Sequence, residues 1–291
     1  MVDLPHDLTN PIALADWLEL SALEAGDGNA SAGDLTSALQ IHNIPGSSED
    51  MVLQVILELE HREKAAGEAY PFVKQSATLL QLKGDWKQFA PYVFCLCLSY
   101  FQWRPAGGEL IDPRKLFEEI SLLAAESYIQ GESFPFGRAC ASGANPFETA
   151  VNQLCRRLGE GNCFVRRSSV RRRDDRVDIV VWKPFEDKLP SKLIMFGQCA
   201  SGENWKDKLA EMQPDSFWSN WIVDPNVSPL LRSFYIPHAI DRNDWSYYAL
   251  NGGILFDRCR IALWAHRSGT VSTDDRYVDW CQTAFPTIRR N

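Results

Sequence analysis

The sequence has no apolar run long enough to cross a bilayer. Its best stretch, residues 89–101, falls short of the roughly 20 apolar residues that a span needs and is interrupted by Ser99. It has no C-x-x-C pair, and its five histidines do not gather near its eight cysteines, so a zinc ribbon or a thioredoxin-like site is not expected. Gly107-Gly108 stands outside any G-x-G-x-x-G or G-K-[ST] context, and Ser201 lies in no G-x-S-x-G elbow. No repeat period and no low-complexity segment is visible. The first ten residues carry Asp3, His6 and Asp7 without a basic cluster, which argues against a secretory leader. A cytoplasmic protein with buried, reduced thiols and no membrane partner is the expectation.

What is present is a globular composition spread over 291 residues, enough for two cores. The net charge of −8 argues against general coating of nucleic acid, but the charge is uneven. The N-terminal part is acidic (Asp16, Glu19, Glu24, Glu58, Glu60, Glu63). A basic cluster follows at Arg156, Arg157, Arg166, Arg167, Arg171, Arg172, Arg173 and Arg176. Such a stripe is either a solvated loop or a grip on a phosphate backbone.

Apolar spacing predicts helices over 11–25, 31–41, 47–59, 70–82, 89–103 and 112–129. Ser31-Ala32-Gly33-Asp34 reads as a helix start, and Asp112-Pro113 as another. Residues 130–145 are rich in Gly, Ser and Pro and read as a boundary. Beyond it the pattern mixes helix and strand. A helix is expected over 146–158, ended by Gly159 and Gly161, then strands over 163–167, 177–182 and 192–200, the last two forming a hairpin. A helix over 205–212 stopped by Pro214, short strands over 232–237 and 253–256, and helices over 257–266 and 274–285 complete the reading. The expected fold is α+β. A helical domain (1–130) and a linker (131–145) precede an α/β domain (146–291) with a mixed central sheet.

The hairpin brings chemistry together. Asp178 lies early in one strand and Gln198 near the end of the next, while Glu148 lies in the first turn of the preceding helix. Each has an ordinary alternative. Asp178 would pair with Arg173 or Arg176, Gln198 would be a satisfied core amide, and Glu148 would complement its helix dipole. Lys206 and Lys208 would likewise form a solvated helix face. Trp205, Trp218, Trp221 and Trp245 read more readily as core than as base-stacking platforms.

The order helix, strand, acid-bearing strand, Gln-bearing strand, helix resembles the PD-(D/E)XK nuclease superfamily over residues 147–212. In that family an Asp on the second strand and a Glu or Gln on the third bind Mg²⁺, a helix Glu often joins them, and a Lys two residues after the Glu or Gln contacts water and phosphate. The resemblance implies a restriction-endonuclease-like domain that cleaves DNA with Mg²⁺ or Mn²⁺, with restriction or anti-phage defence as its usual setting. Asp178 and Gln198 would be metal ligands and Glu148 an auxiliary acid, with Arg171, Arg172, Arg173 and Arg176 on the DNA backbone. The departure is Ala200, where the family has Lys. Three readings stay open: Lys206 or Lys208 supplies the ammonium from the next helix, Ala200 silences the site, or the domain binds nucleic acid without cutting. A non-catalytic subunit that docks a partner protein through its helical domain is the alternative function. RNA as the ligand of the basic stripe lacks any RNA-module signature.

Overall fold

The computed structural model of the protein describes residues 2–41, 48–76, 78–101, 112–141, 145–167, 175–269 and 274–288. The chain divides into two compact units, and the first is built from both ends of the chain. Unit 1 holds Met1–Pro113, Pro237–Asp241 and Arg258–Asn291, and unit 2 holds Arg114–Ile236 and Arg242–Asp257. These units cut the chain differently from the domains read in the sequence, because the residues after Asp257 pack with the N-terminal helices.

Unit 1 holds α1 (Pro11–Glu24), α2 (Ala32–Ile41), α3 (Ser48–Ala66) and α4 (Ala90–Phe101) together with a small antiparallel sheet. Its strands are β1 (Asn29–Ser31), β2 (Phe72–Ser76) and β3 (Leu79–Leu82), in the order β1-β3-β2. The expected helix over 70–82 is therefore a hairpin, and the N-terminal part is not all helical. The local reason is alternation: Leu80 and Leu82 are buried while Leu79 and Gln81 are only half-buried, which is the period of a strand.

Capping fixes where the helices start. The Asn10 side chain accepts from the N–H groups of Ile12 and Ala13, and Pro11 occupies the first helical position. Ser31 and Asp34 exchange hydrogen bonds, Ser31 N–H to Asp34 Oδ2 at 2.7 Å and Asp34 N–H to Ser31 Oγ at 3.1 Å.

The centre of unit 1 is ionic. The Arg62 guanidinium donates to Asp16 at 2.6 Å, to Glu19 at 2.9 Å and to Glu58 at 2.8 Å. Arg258 donates to both Asp16 oxygens, at 2.7 and 2.9 Å. Tyr70 and Tyr92 donate their hydroxyls to Glu19. Both arginines are fully buried, so each is stable there only because its donors are satisfied.

In unit 2, α5 (Pro113–Ile129) leads into a five-stranded sheet formed by β4 (Glu132–Phe134), β5 (Ile179–Lys183), β6 (Leu193–Cys199), β7 (Leu230–Tyr235) and β8 (Ile254–Phe256), paired in that order. The pairs β4–β5 and β5–β6 are antiparallel; β6–β7 and β7–β8 are parallel. The fold is thus α+β with a mixed sheet in the C-terminal half, as expected. Residues 131–145 are not a plain linker, since they supply edge strand β4 and the short helix α6 (Phe136–Ala139).

One face of this sheet is covered by α7 (Pro146–Leu158), which ends on Gly159 in the left-handed conformation. Val151, Leu154 and Leu158 from α7 join Val180, Trp182, Ile194 and Phe196 in one core with Phe217, Trp218 and Trp221. Those last residues belong to α9 (Pro214–Trp221), which follows α8 (Trp205–Lys208). The expected strand over 163–167 is reduced to one bridge, Phe164 to Ile222. After β7 come α10 (Trp245–Gly252), β8, and in unit 1 α11 (Arg258–Arg267) and α12 (Asp275–Ala284). No helix among the described residues is long and apolar enough to cross a membrane.

Candidate active site

The antiparallel register pairs Ile179 with Gly197, so Asp178 and Gln198 meet where the two strands end. The Asp178 carboxylate is fastened to the strand opposite: Cys199 N–H donates to Oδ2 at 2.6 Å. Gly197 makes this close pairing sterically possible. A Cβ there would sit 2.6 Å from Ile179 Cγ1 and 2.7 Å from Tyr235 Cε2. Gly137 in α6 lies against Asp178 in turn, its N–H donating to the Asp178 carbonyl at 2.9 Å. A Cβ on Gly137 would come within 3.2 Å of Oδ1.

Gln198 is 5% exposed. Its Nε2 donates to Glu211 Oε2 at 3.3 Å, while its Oε1 is buried without a hydrogen-bond partner. Buried side-chain oxygens without a partner are uncommon in folded proteins. Glu211 also meets the Arg176 guanidinium, Nε to Oε2 at 3.5 Å. The Cys199 thiol is pushed well above its ordinary range by burial, then by the Asp178 and Glu118 carboxylates. Glu118 lies on α5.

The remaining sequence candidates are placed differently. Glu148 is exposed on α7, and no hydrogen bond or ion pair among the described residues joins it to Asp178 or Gln198. Lys206 is held over the rings of Trp205, 5.7 Å, and Tyr248, 5.4 Å. Lys208 lies at the end of α8, and no described contact brings it to the pair. Ala200 is buried, 2% exposed, its N–H donating to Tyr235 O at 2.9 Å. Trp205, Trp218 and Trp221 are buried in packing.

Arg171, Arg172 and Arg173 lie outside the described residues. The chain on either side of them is tied to one place. Arg167 donates to the carbonyls of Ser219, Ile222 and Val223 at the end of α9, and Trp221 Nε1 donates to Asp175 at 2.7 Å.

The sequence reading missed Glu118 and Glu211. Recognising β4 as the first strand would have moved attention from α7 to α5, the helix that precedes it, and so to Glu118. Glu211 sits in the turn between α8 and α9 and has no local signature.

The donor set suits a small hard cation in part. Asp178 offers carboxylate oxygens and Gln198 one unpartnered carbonyl oxygen. No group of three or more His, Cys, Asp or Glu is assembled to hold a metal among the described residues. A cation here would complete its shell with water and a ligand's phosphate, as Mg²⁺ commonly does. No protein-family model, no curated protein and no solved structure matches the chain.

Proposed function

We propose that unit 2 is a nuclease-fold domain of the PD-(D/E)XK type that acts on DNA with Mg²⁺ or Mn²⁺. The observation that carries the reading is the sheet. Asp178 immediately precedes its second strand, Gln198 is the penultimate residue of its third, and the two strands are neighbours, with a buried, unpartnered oxygen on Gln198. Glu118 of α5, whose charge raises the Cys199 thiol, is the candidate for the helix acid instead of Glu148.

In this reading Asp178 and Gln198 hold the cation. A divalent ion bound there would polarise a phosphoryl oxygen and lower the pKa of an attacking water. Asp178 supplies the negative charge, and its orientation is set by Cys199 N–H. Gln198 adds no charge, so affinity falls below that of a two-carboxylate site. Arg176, with Arg171, Arg172 and Arg173, would meet the DNA backbone. Restriction or anti-phage defence is the setting that this family resemblance suggests.

A second reading rests on a specific observation. Ala200 stands buried where the family has Lys, and Lys206 is engaged by aromatic rings. That favours a non-cutting subunit that binds DNA or a partner protein, with the acidic unit 1 as the docking platform.

Plasmid cleavage with Mg²⁺ or Mn²⁺, run on the full chain, Asp178→Ala and Ala200→Lys, separates the two. Metal-dependent cleavage that Asp178→Ala abolishes is the expected result, and equal cleavage by Asp178→Ala sinks the nuclease reading. Cleavage only by Ala200→Lys identifies a site silenced at one residue. Salt-dependent DNA binding without cleavage by any of the three supports the second reading.

A further inference from the structure

We infer that Glu211 is a positioning residue that selects the orientation of the Gln198 side-chain amide and so leaves the carbonyl oxygen, not the NH₂ group, at the buried position of the site. The inference rests on the metal-site reading above only for its consequence, not for its geometry. A primary amide has two ends of nearly equal size, and packing alone does not distinguish them. An ionised carboxylate does, because it only accepts hydrogen bonds. With Glu211 Oε2 at 3.3 Å from Nε2, the reversed amide would set two oxygens against each other. The carbonyl is therefore the end turned away from Glu211, which is the buried Oε1 without a partner.

Glu211 is well placed to do this. Its turn is anchored on both sides, by Leu209 and Met212, each buried, and by the Glu211 N–H bond to Lys208 O at 3.0 Å. The carboxylate is shared with Arg176. A cation at the strand ends therefore meets an acceptor at Gln198. Without Glu211 nothing opposes the reversed amide, which would turn its two N–H groups toward a cation.

The test uses the full chain in two arms. The first is NMR with selectively ¹⁵N-labelled glutamine, the Gln198 signals being assigned by their loss in Gln198→Glu. The expected result is that one Nε2 proton carries a hydrogen-bond displacement that Glu211→Ala removes. Gln198 amide signals identical in the two proteins overturn the inference, whether or not metal binds.

The second arm is Mn²⁺ binding followed by the electron-spin signal of the free ion. Glu211→Ala is expected to weaken binding about 10- to 100-fold, the range seen when a group that orients a ligand is removed. Gln198→Glu added to Glu211→Ala restores it, because a carboxylate has no wrong end. Unchanged affinity in Glu211→Ala, or no rescue by the double variant, overturns the positioning role. Absence of Mn²⁺ binding by the unaltered chain rejects the metal-site reading instead, and the NMR arm still decides the amide orientation.

Discussion

Gly197 carries a burden that no other residue type can take. It faces Ile179 on one neighbouring strand and Tyr235 on the other, with room for a hydrogen and not for a methyl group. Gly197→Ala is expected to destabilise unit 2 by about 1–3 kcal/mol, the usual cost of overpacking. Urea denaturation followed by tryptophan fluorescence checks it, and a variant as stable as the parent would show that the strands relax freely. At this scale the sequence was informative where a hairpin made neighbours of two residues, as with Asp178 and Gln198. It was silent on Glu211, whose contact with Gln198 depends on where the turn after α8 falls in space.

The elements of unit 1 are held by a buried set of charges, and this gives a pH signature. Burial favours the neutral form of Asp16, but the Arg258 and Arg62 guanidiniums outweigh it and hold the carboxyl below its ordinary 3.8. The unfolded chain therefore takes up the Asp16 proton at a higher pH than the folded chain does. Stability from this group is complete above about pH 5 and is lost as pH falls through the folded-state value. Glu19, pushed up by burial, works in the opposite sense: its share is present in acid and is lost as pH rises. Comparing the pH dependence of unfolding in the parent and in Asp16→Asn isolates the Asp16 part. The slope on the acid side is expected to flatten in the variant, and an unchanged slope would sink the assignment.

Elements announced by caps were legible, and elements that depend on pairing were not. Asn10-Pro11 and Ser31 to Asp34 start helices because their side chains satisfy the first free N–H groups locally. Residues 70–82 have apolar positions that also fit a helical period over so short a run, and the alternation shows as strand once β3 pairs with β1 and β2. Pro214 reads as a stop, yet it opens α9, since a proline in the first turn loses no hydrogen bond. Around residue 164 the composition suits a strand, but its backbone pairs with the end of α9 rather than with the sheet, Val165 N–H to Trp221 O at 2.9 Å and Arg167 N–H to Asn220 O at 3.0 Å. β4 is three residues long, below what periodicity detects.

At the scale of the whole molecule, unit 1 needs both ends of the sequence. Arg258 brings two of the hydrogen bonds that satisfy Asp16, and α12 packs on α4 through Tyr277 and Trp280 against Phe94. A chain ending at Asp257 is expected to lose the cooperative unfolding of unit 1 while unit 2 still unfolds cooperatively. Calorimetry of the truncated and full chains checks this, and two intact transitions in the truncated chain would contradict the division. A fragment of residues 1–130 offers no shortcut, because it too lacks Arg258.

The same division sets an order of events on the ribosome. Domains fold as they emerge, at about 5–20 residues per second. Residues 114–257, which supply all of unit 2, leave the ribosome while Asp16 and Arg62 still await their second arginine. The nascent chain thus carries a finished sheet between two halves of an unfinished core. Until the remaining residues emerge, the part of the chain with an incomplete core is the N-terminal helices, not unit 2.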